Sequence, residues 1–438
     1  MNTTRVVIRA IACGSSLLVA TFGLAGCTGD DITYGPADAA PRSDAAVVDA
    51  TTDDAGDASL DAAPLPTRVL LTYVGAAGEM VALDESSGQK LGAITTPGDV
   101  ITSGGFLVQT SKDLVQKLAP ASPWLRVGSW NVALDDKPDG STQSADPVQV
   151  IGVSATKAYV LRLNRNRIAV IDPSEAADGG VPKESIDLGA LQQADDKDGH
   201  VDMSGAVYDA SRKRLYVALS NVDFNRVDPQ GFFLICPATK STLLAIDTTS
   251  DTLVNLGGAG PQGSIALKGT SMQLGYYGGI VLDTVKDRVL LMTTGCNDVD
   301  ADGGQLPLRG RGIEAVDLKT NVTQVLLDAN AQDFPGAFAY QDATHAFVQF
   351  GYGAFGKTYR WDTNSPTLGA ALDVTPDLFV LDPKTAQLLG PQSTFASDGG
   401  PGPTLVISVN PVDGGVTKLA TDPFTEKGGG YLGNVSLY

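Results

Sequence analysis

The chain has 438 residues, a formal net charge of −19, two histidines, four cysteines and fifty glycines. So large a negative excess argues against nucleic acid as a partner, because binding it needs a basic face that displaces counterions. Short apolar runs, dense turn residues and no long stretch of 3.6-residue apolar period beyond the N-terminus point to an all-β fold.

The N-terminus carries Arg5 and Arg9, then a mostly apolar run from Ala10 to Leu24 that is short for a membrane-spanning helix. It ends in Leu24-Ala25-Gly26-Cys27. This resembles the lipobox of bacterial lipoproteins. The resemblance implies that residues 1–26 are a signal peptide, and that Cys27 becomes the first residue, lipidated through its sulfur. Such a chain is tied to a membrane without spanning it. Cys13 would leave with the signal. An ordinary secretory signal with an incidental cysteine is the alternative. Thr28, rather than Asp, after the acceptor leans toward the outer membrane in a Gram-negative cell, with the mature chain in the periplasm or at the cell surface.

Residues 27–66 form the second region. Between Thr28 and Pro66 nine aspartates stand against one arginine, Arg42, amid Ala, Pro, Thr and Ser. That composition buries too little to offset the entropy of ordering, so a disordered tether is expected. A coil of this length spans roughly 35 Å.

From residue 67 to 438 a strand grammar recurs. Its clearest copy lies in Asp209–Leu256: an apolar strand, Leu215-Tyr216-Val217-Ala218-Leu219, then an irregular insert, then Leu243-Leu244-Ala245-Ile246 ending at Asp247. Other third strands end the same way at Asp172 and Asp317, and the pattern also fits Val380-Leu381-Asp382. The aspartate starts a tight polar turn into a fourth strand. Four-stranded units recurring at about 50 residues define a β-propeller. LYVAL at Leu215–Leu219 and RIAVIDP at Arg167–Pro173 resemble YVTN-type propellers, best between Val148 and Pro383. The resemblance implies an architecture that hosts many functions.

Arg68–Val74 and Glu79–Ile94 read as second to fourth strands with no first strand before them. Leu432–Leu437 reads as a first strand with nothing after it. Pairing the two closes the ring, so seven blades are expected, with six or eight as alternatives. The segments GAFAYQD, HAFVQF, DLFVLDP and AQLLG (Gly336–Gly390) are read as one unit.

Three connections between second and third strands look expanded, at Asn221–Lys240, Gly295–Arg311 and Gly351–Pro376, all on one face. Long loops on a rigid scaffold are where binding usually sits. Phe224, Phe232, Phe233, Phe355, Tyr359 and Trp361 fall there and form a candidate ligand or partner face. Packing of the rings onto the blades is the competing reading. Cys236 and Cys296 lie in two of these loops, in neighbouring blades. Export predicts a disulfide between them, with two free thiols as the alternative.

Asp298-Val299-Asp300-Ala301-Asp302-Gly303 has the spacing of a calcium loop, although position twelve is Arg309 rather than the bidentate Glu. A solvated acidic turn is the alternative. Asp195, Asp196 and Asp198 before Gly199 form a weaker version. His200 is expected as a surface or loop residue on the long-loop face and His345 on the other, so zinc and a Ser-His-Asp arrangement lack support. Two function classes remain. The first is a lipid-anchored envelope scaffold that binds a protein, peptide or glycan through its loops. The second is a calcium-dependent hydrolase or lactonase-like enzyme, by resemblance to propellers that host such activities.

Overall fold

The structure, a computed structural model, describes residues 68–438 except 76, 135, 137–142, 176–178, 195, 225, 228–233, 238, 300–304, 352–354, 395–401 and 426–430. The signal, Cys13, Cys27 and the tether lie outside these residues. The described chain is a seven-bladed β-propeller. Strands are named here by their place in a blade, the first lying at the channel. Blade 1 is Tyr431–Leu437, Arg68–Val74, Gly78–Asp84 and Lys90–Thr96; blade 2 is Ile101–Ser103, Phe106–Gln109, Leu114–Leu118 and Arg126–Asn131. Blade 3 is Pro147–Ser154, Lys157–Arg162, Arg167–Ile171 and Glu184–Asp187; blade 4 is Met203–Asp209, Arg214–Leu219, Thr242–Asp247 and Thr252–Val254. Blade 5 is Ile280–Asp283, Arg288–Thr293, Gly312–Asp317 and Thr323–Asp328; blade 6 has Pro335–Tyr340, His345–Phe350 and Lys357–Asp362. Blade 7 is Val380–Leu381, Leu388–Gln392, Leu405–Val409 and Val416–Thr421.

The continuous apolar runs follow from burial on both faces. Successive residues of a strand point to opposite sides. In blade 4, Leu215, Val217 and Leu219 pack toward blade 3, while Tyr216 and Ala218 pack toward blade 5. All five are buried. At roughly 1.5–3 kcal/mol for each large side chain removed from water, the interblade seams are the main source of stability.

The ring closes as expected. Val69 pairs with Leu437 and Val74 with Tyr431, antiparallel. Buried Asn434 locks the joint: its side-chain amide donates to the Thr102 carbonyl at 2.7 Å, and its Oδ1 accepts from the Thr102 N–H at 3.0 Å and the Thr72 hydroxyl at 2.9 Å. One side chain thus ties the C-terminal strand to blades 1 and 2.

One parsing of the repeats is corrected. Val380–Leu381 is the first strand of blade 7, not the third strand of blade 6, whose third strand is Lys357–Asp362. The blade 6 connection before that strand spans only residues 351–356, so the expected expanded loop Gly351–Pro376 does not exist as such. Residues 368–372 run beside Lys357–Asp362 as an irregular outer edge, with the Leu372 N–H donating to the Thr358 carbonyl at 2.8 Å and the Gly369 N–H to Arg360 at 2.8 Å.

Candidate functional site

Connections from second to third strands, and from a fourth strand into the next blade, share one face. The connection entering blade 5 there does more than link. Its turn Gly275-Tyr276-Tyr277 lies across the channel against first strands of blades 2, 3, 4 and 6. Leu274 and Tyr276 join the apolar clusters on both sides of the ring, between blades 3 and 4 and between blades 7 and 1. The two tyrosine rings lie 4.4 Å apart. Buried Gln273 anchors the far side by donating to the Pro335 and Gly336 carbonyls of blade 6, each at 2.7 Å. Glycine makes the fit possible: a Cβ on Gly278, whose φ is +78°, would stand 1.9 Å from the Phe338 carbonyl oxygen. The channel is therefore plugged by its own chain.

Above the plug is a bowl of about 200 Å³. Its aromatic lining is Phe224, Tyr276, Tyr277, Phe334 and Tyr431, with Leu274 among the aliphatic groups. Asp99, Asp146 and Arg311 add charge at its edge. Buried Arg311 is held in place: its Nε donates to the Thr294 carbonyl at 2.8 Å, Nη1 donates to Gln332 at 2.6 Å, and its guanidinium lies 5.5 Å from the Phe334 ring centre. A concave, mainly apolar site with a few fixed polar groups suits a small ligand.

The wall beside blades 4 and 5 is stapled. Cys236 and Cys296 form a disulfide with Cα atoms 4.9 Å apart, joining the blade 4 loop to a hairpin of Cys296–Val299 and Gln305–Arg309 in blade 5. The Cys236 N–H donates to the Asn297 carbonyl, and the Asn297 N–H to the Leu234 carbonyl, both at 2.9 Å. The predicted pairing thus stands, reinforced by backbone bonds.

The other expected site residues separate. Phe224 lines the bowl. Phe355 is exposed but is not part of that lining. Tyr359 and Trp361 sit on the third strand of blade 6 instead of in a loop, and Trp361 is buried in the seam with blade 5, its Nε1 donating to the Ser365 carbonyl at 2.8 Å. Trp361 is therefore core, a consequence of the corrected blade boundary. Phe232, Phe233, Asp300 and Asp302 lie outside the described residues, as does the side chain of Asp298.

A second acidic group does converge. Asp196, Asp198 and Asp202, in the connection from blade 3 to blade 4, bring carboxylate oxygens within 4.8 Å of one another. Asp198 accepts from the His200 N–H at 3.0 Å and the Phe224 N–H at 3.1 Å; Asp202 accepts from the Val222 N–H at 2.9 Å. Burial and then the Asp198 carboxylate push the Asp196 carboxyl upward, and burial pushes Asp202 up as well. His200 is buried, not at the surface as expected. Burial holds its imidazole below its ordinary value, with Asp198 pulling the other way. His345 is exposed at the start of the second strand of blade 6, its Nδ1 2.9 Å from Asp342.

No family model matches the chain, and no curated protein matches it. Solved structures do. A protein from Bacteroides uniformis, provisionally named a 6-phosphogluconolactonase, is 12% identical with a TM-score of 0.50, over 85% of this chain and all of that one. A hypothetical selenium-binding protein from Sulfolobus tokodaii is 11% identical with a TM-score of 0.49, over 86% of this chain and 94% of that one. Identities this low speak to fold alone. The class is a β-propeller, and the YVTN-type resemblance rests on the strand motifs.

Proposed function

We propose that the chain is a lipid-anchored propeller of the bacterial envelope that holds a small apolar ligand, or an apolar side chain of a partner, in the bowl above its plugged channel. The observation that carries this reading is the bowl itself: an apolar concavity, ringed by Phe224, Phe334 and Tyr431 and floored by Leu274, Tyr276 and Tyr277. Exposed apolar surface is costly in water unless something covers it. The anchor rests on the Leu24-Ala25-Gly26-Cys27 motif, and the Cys236–Cys296 bond agrees with an oxidising compartment.

Titration with 1-anilinonaphthalene-8-sulfonate tests the bowl. One saturable site is expected, weakened about tenfold by Phe224→Ala, as truncating an aromatic anchor costs roughly 1.4 kcal/mol. Absence of saturable binding, or binding indifferent to Phe224→Ala, overturns the reading. Turnover of a captured ester or lactone would move it to the hydrolase class. For the anchor, Cys27→Ser should release the protein from the membrane fraction.

A further inference from the structure

Asp196 is 3% exposed, and Asp202 is 0% exposed. Among the described residues, neither carboxylate oxygen of Asp196 nor the Oδ1 of Asp202 receives a hydrogen bond of good geometry, and the group that meets the Asp196 carboxyl is Asp198, itself an acid. No lysine or arginine among them forms an ion pair with Asp196, Asp198 or Asp202. Yet three buried or half-buried carboxylates meet here. Buried Asp283, by contrast, is supplied with donors by the Val285 and Lys286 N–H groups and Arg288, and buried Asp377, which also has one unmatched oxygen, belongs to no such carboxylate cluster among the described residues. Leaving a buried carboxylate unmatched costs several kcal/mol, so a set of unmatched oxygens pointing at one another calls for a positive charge between them.

We propose that Asp196, Asp198 and Asp202 bind one divalent calcium ion. The donors are all oxygen, which suits a hard cation and argues against zinc or copper. Calcium–oxygen bonds of about 2.3–2.6 Å place opposite ligands up to about 5 Å apart, and these oxygens lie within 4.8 Å of one another. The three carboxylates together would leave a single net negative charge around the ion. The ion would also fix two loops at once, because Asp198 and Asp202 hold the Phe224 and Val222 N–H groups of the blade 4 insert. The site stands independently of what occupies the bowl.

The test uses the whole chain, stripped with EDTA and titrated with calcium chloride by calorimetry, with magnesium chloride as a second arm. One calcium per chain is expected at this site. Its thermal midpoint should rise by about 3–5 °C at a hundredfold excess over Kd, by mass action. Asp196→Asn and Asp202→Asn should each abolish both effects. These variants keep the side-chain shape and relieve like-charge repulsion, so they should fold at least as well without metal. Asp300→Asn separates this site from the hairpin acidic loop and should leave it intact. The proposal is overturned if the wild type takes up no calcium, if only magnesium binds, or if Asp300→Asn removes the uptake while Asp196→Asn retains it.

Discussion

Asp283 and Asp202 are both fully buried, and both stand at ends of first strands in neighbouring blades, 5 and 4. They lie on opposite faces of the ring. On the turn face, Asp283 accepts from the Val285 N–H at 3.1 Å, the Lys286 N–H at 3.0 Å and Arg288 Nε at 2.8 Å. Burial pushes its carboxyl up, but the Lys286 N–H and Arg288 outweigh it and hold the group below its ordinary value. On the loop face, Asp202 has one backbone donor and two acidic neighbours, and rises. One residue type thus serves two ends. Where turns are short, the carboxylate organises the backbone. Where connections are long, it is left available. The turn face repeats this device at Asp84, Asp172, Asp209, Asp247, Asp317 and Asp342, each accepting from N–H groups two or three residues on.

The sharpest way to break the comparison is to delete both carboxylates. Asp283→Ala strands two N–H groups and weakens the support of Arg288, so it should lower stability by about 3 kcal/mol in chemical denaturation. Asp202→Asn, in calcium-free buffer, should leave stability unchanged or raise it. Equal losses from the two would show that the faces do not differ in this way.

The disulfide probes the loop face alone. A bond between loops carried by already closed blades constrains less than its 60-residue separation suggests. Removing it with Cys236→Ala and Cys296→Ala should cost about 2 kcal/mol. The readout is hydrogen exchange, expected to speed up at residues 234–236 and 296–297 while the strands of blade 4 stay protected. Uniform loss of protection would mean that the staple holds the ring, not the loops.

The same contrast explains what could be read from the chain. The aspartate signature located third strands at Asp172, Asp247 and Asp317, and the orphan strands at the two termini located the closure. It failed at Asp382 because the turn from first to second strand uses the same aspartate device, as Asp209, Asp283 and Asp342 show. Both turns lie on one face and obey one local physics, so local sequence cannot separate them. Blade 7's own third strand ends in Asn410, whose side-chain oxygen accepts from the Val412 N–H, and so escaped the pattern. Blade 6 added to the confusion, because its outer edge, residues 368–372, contains Gly369 and no apolar alternation. Trp361 was misplaced with it. The plug was illegible for another reason. Gly275-Tyr276-Tyr277 carries no signal of its own in the sequence, and only the ring around it turns two tyrosines into a floor. The Asp196–Asp202 group was visible as an acidic run, but the missing donors that single it out depend on tertiary burial.

The smallest effect expected is on pH dependence, and it draws both kinds of carboxylate into one curve. Hydroxyl and N–H donors from Ser86 and Ser87 hold Asp84 at about 2, and the Ser174 hydroxyl with Lys183 holds Asp172 at about 2. Folded values below the unfolded one mean stability that is present above the ordinary carboxylate range and lost as pH falls toward 2. Asp377 acts in the opposite direction. It is buried, with one oxygen accepting from the Ser393 N–H and the other without a partner among the described residues, and burial raises it. Its contribution is present at acid pH and declines as pH climbs past the ordinary carboxylate value. The thermal midpoint should therefore rise steeply from about pH 2 to 4 and then flatten. Asp377→Asn should remove part of the flattening while leaving the acid limb in place. An unchanged upper limb would show that Asp377 ionises freely despite its burial, and would assign the flattening to Glu314, Asp196 and Asp202, whose carboxyls burial also raises.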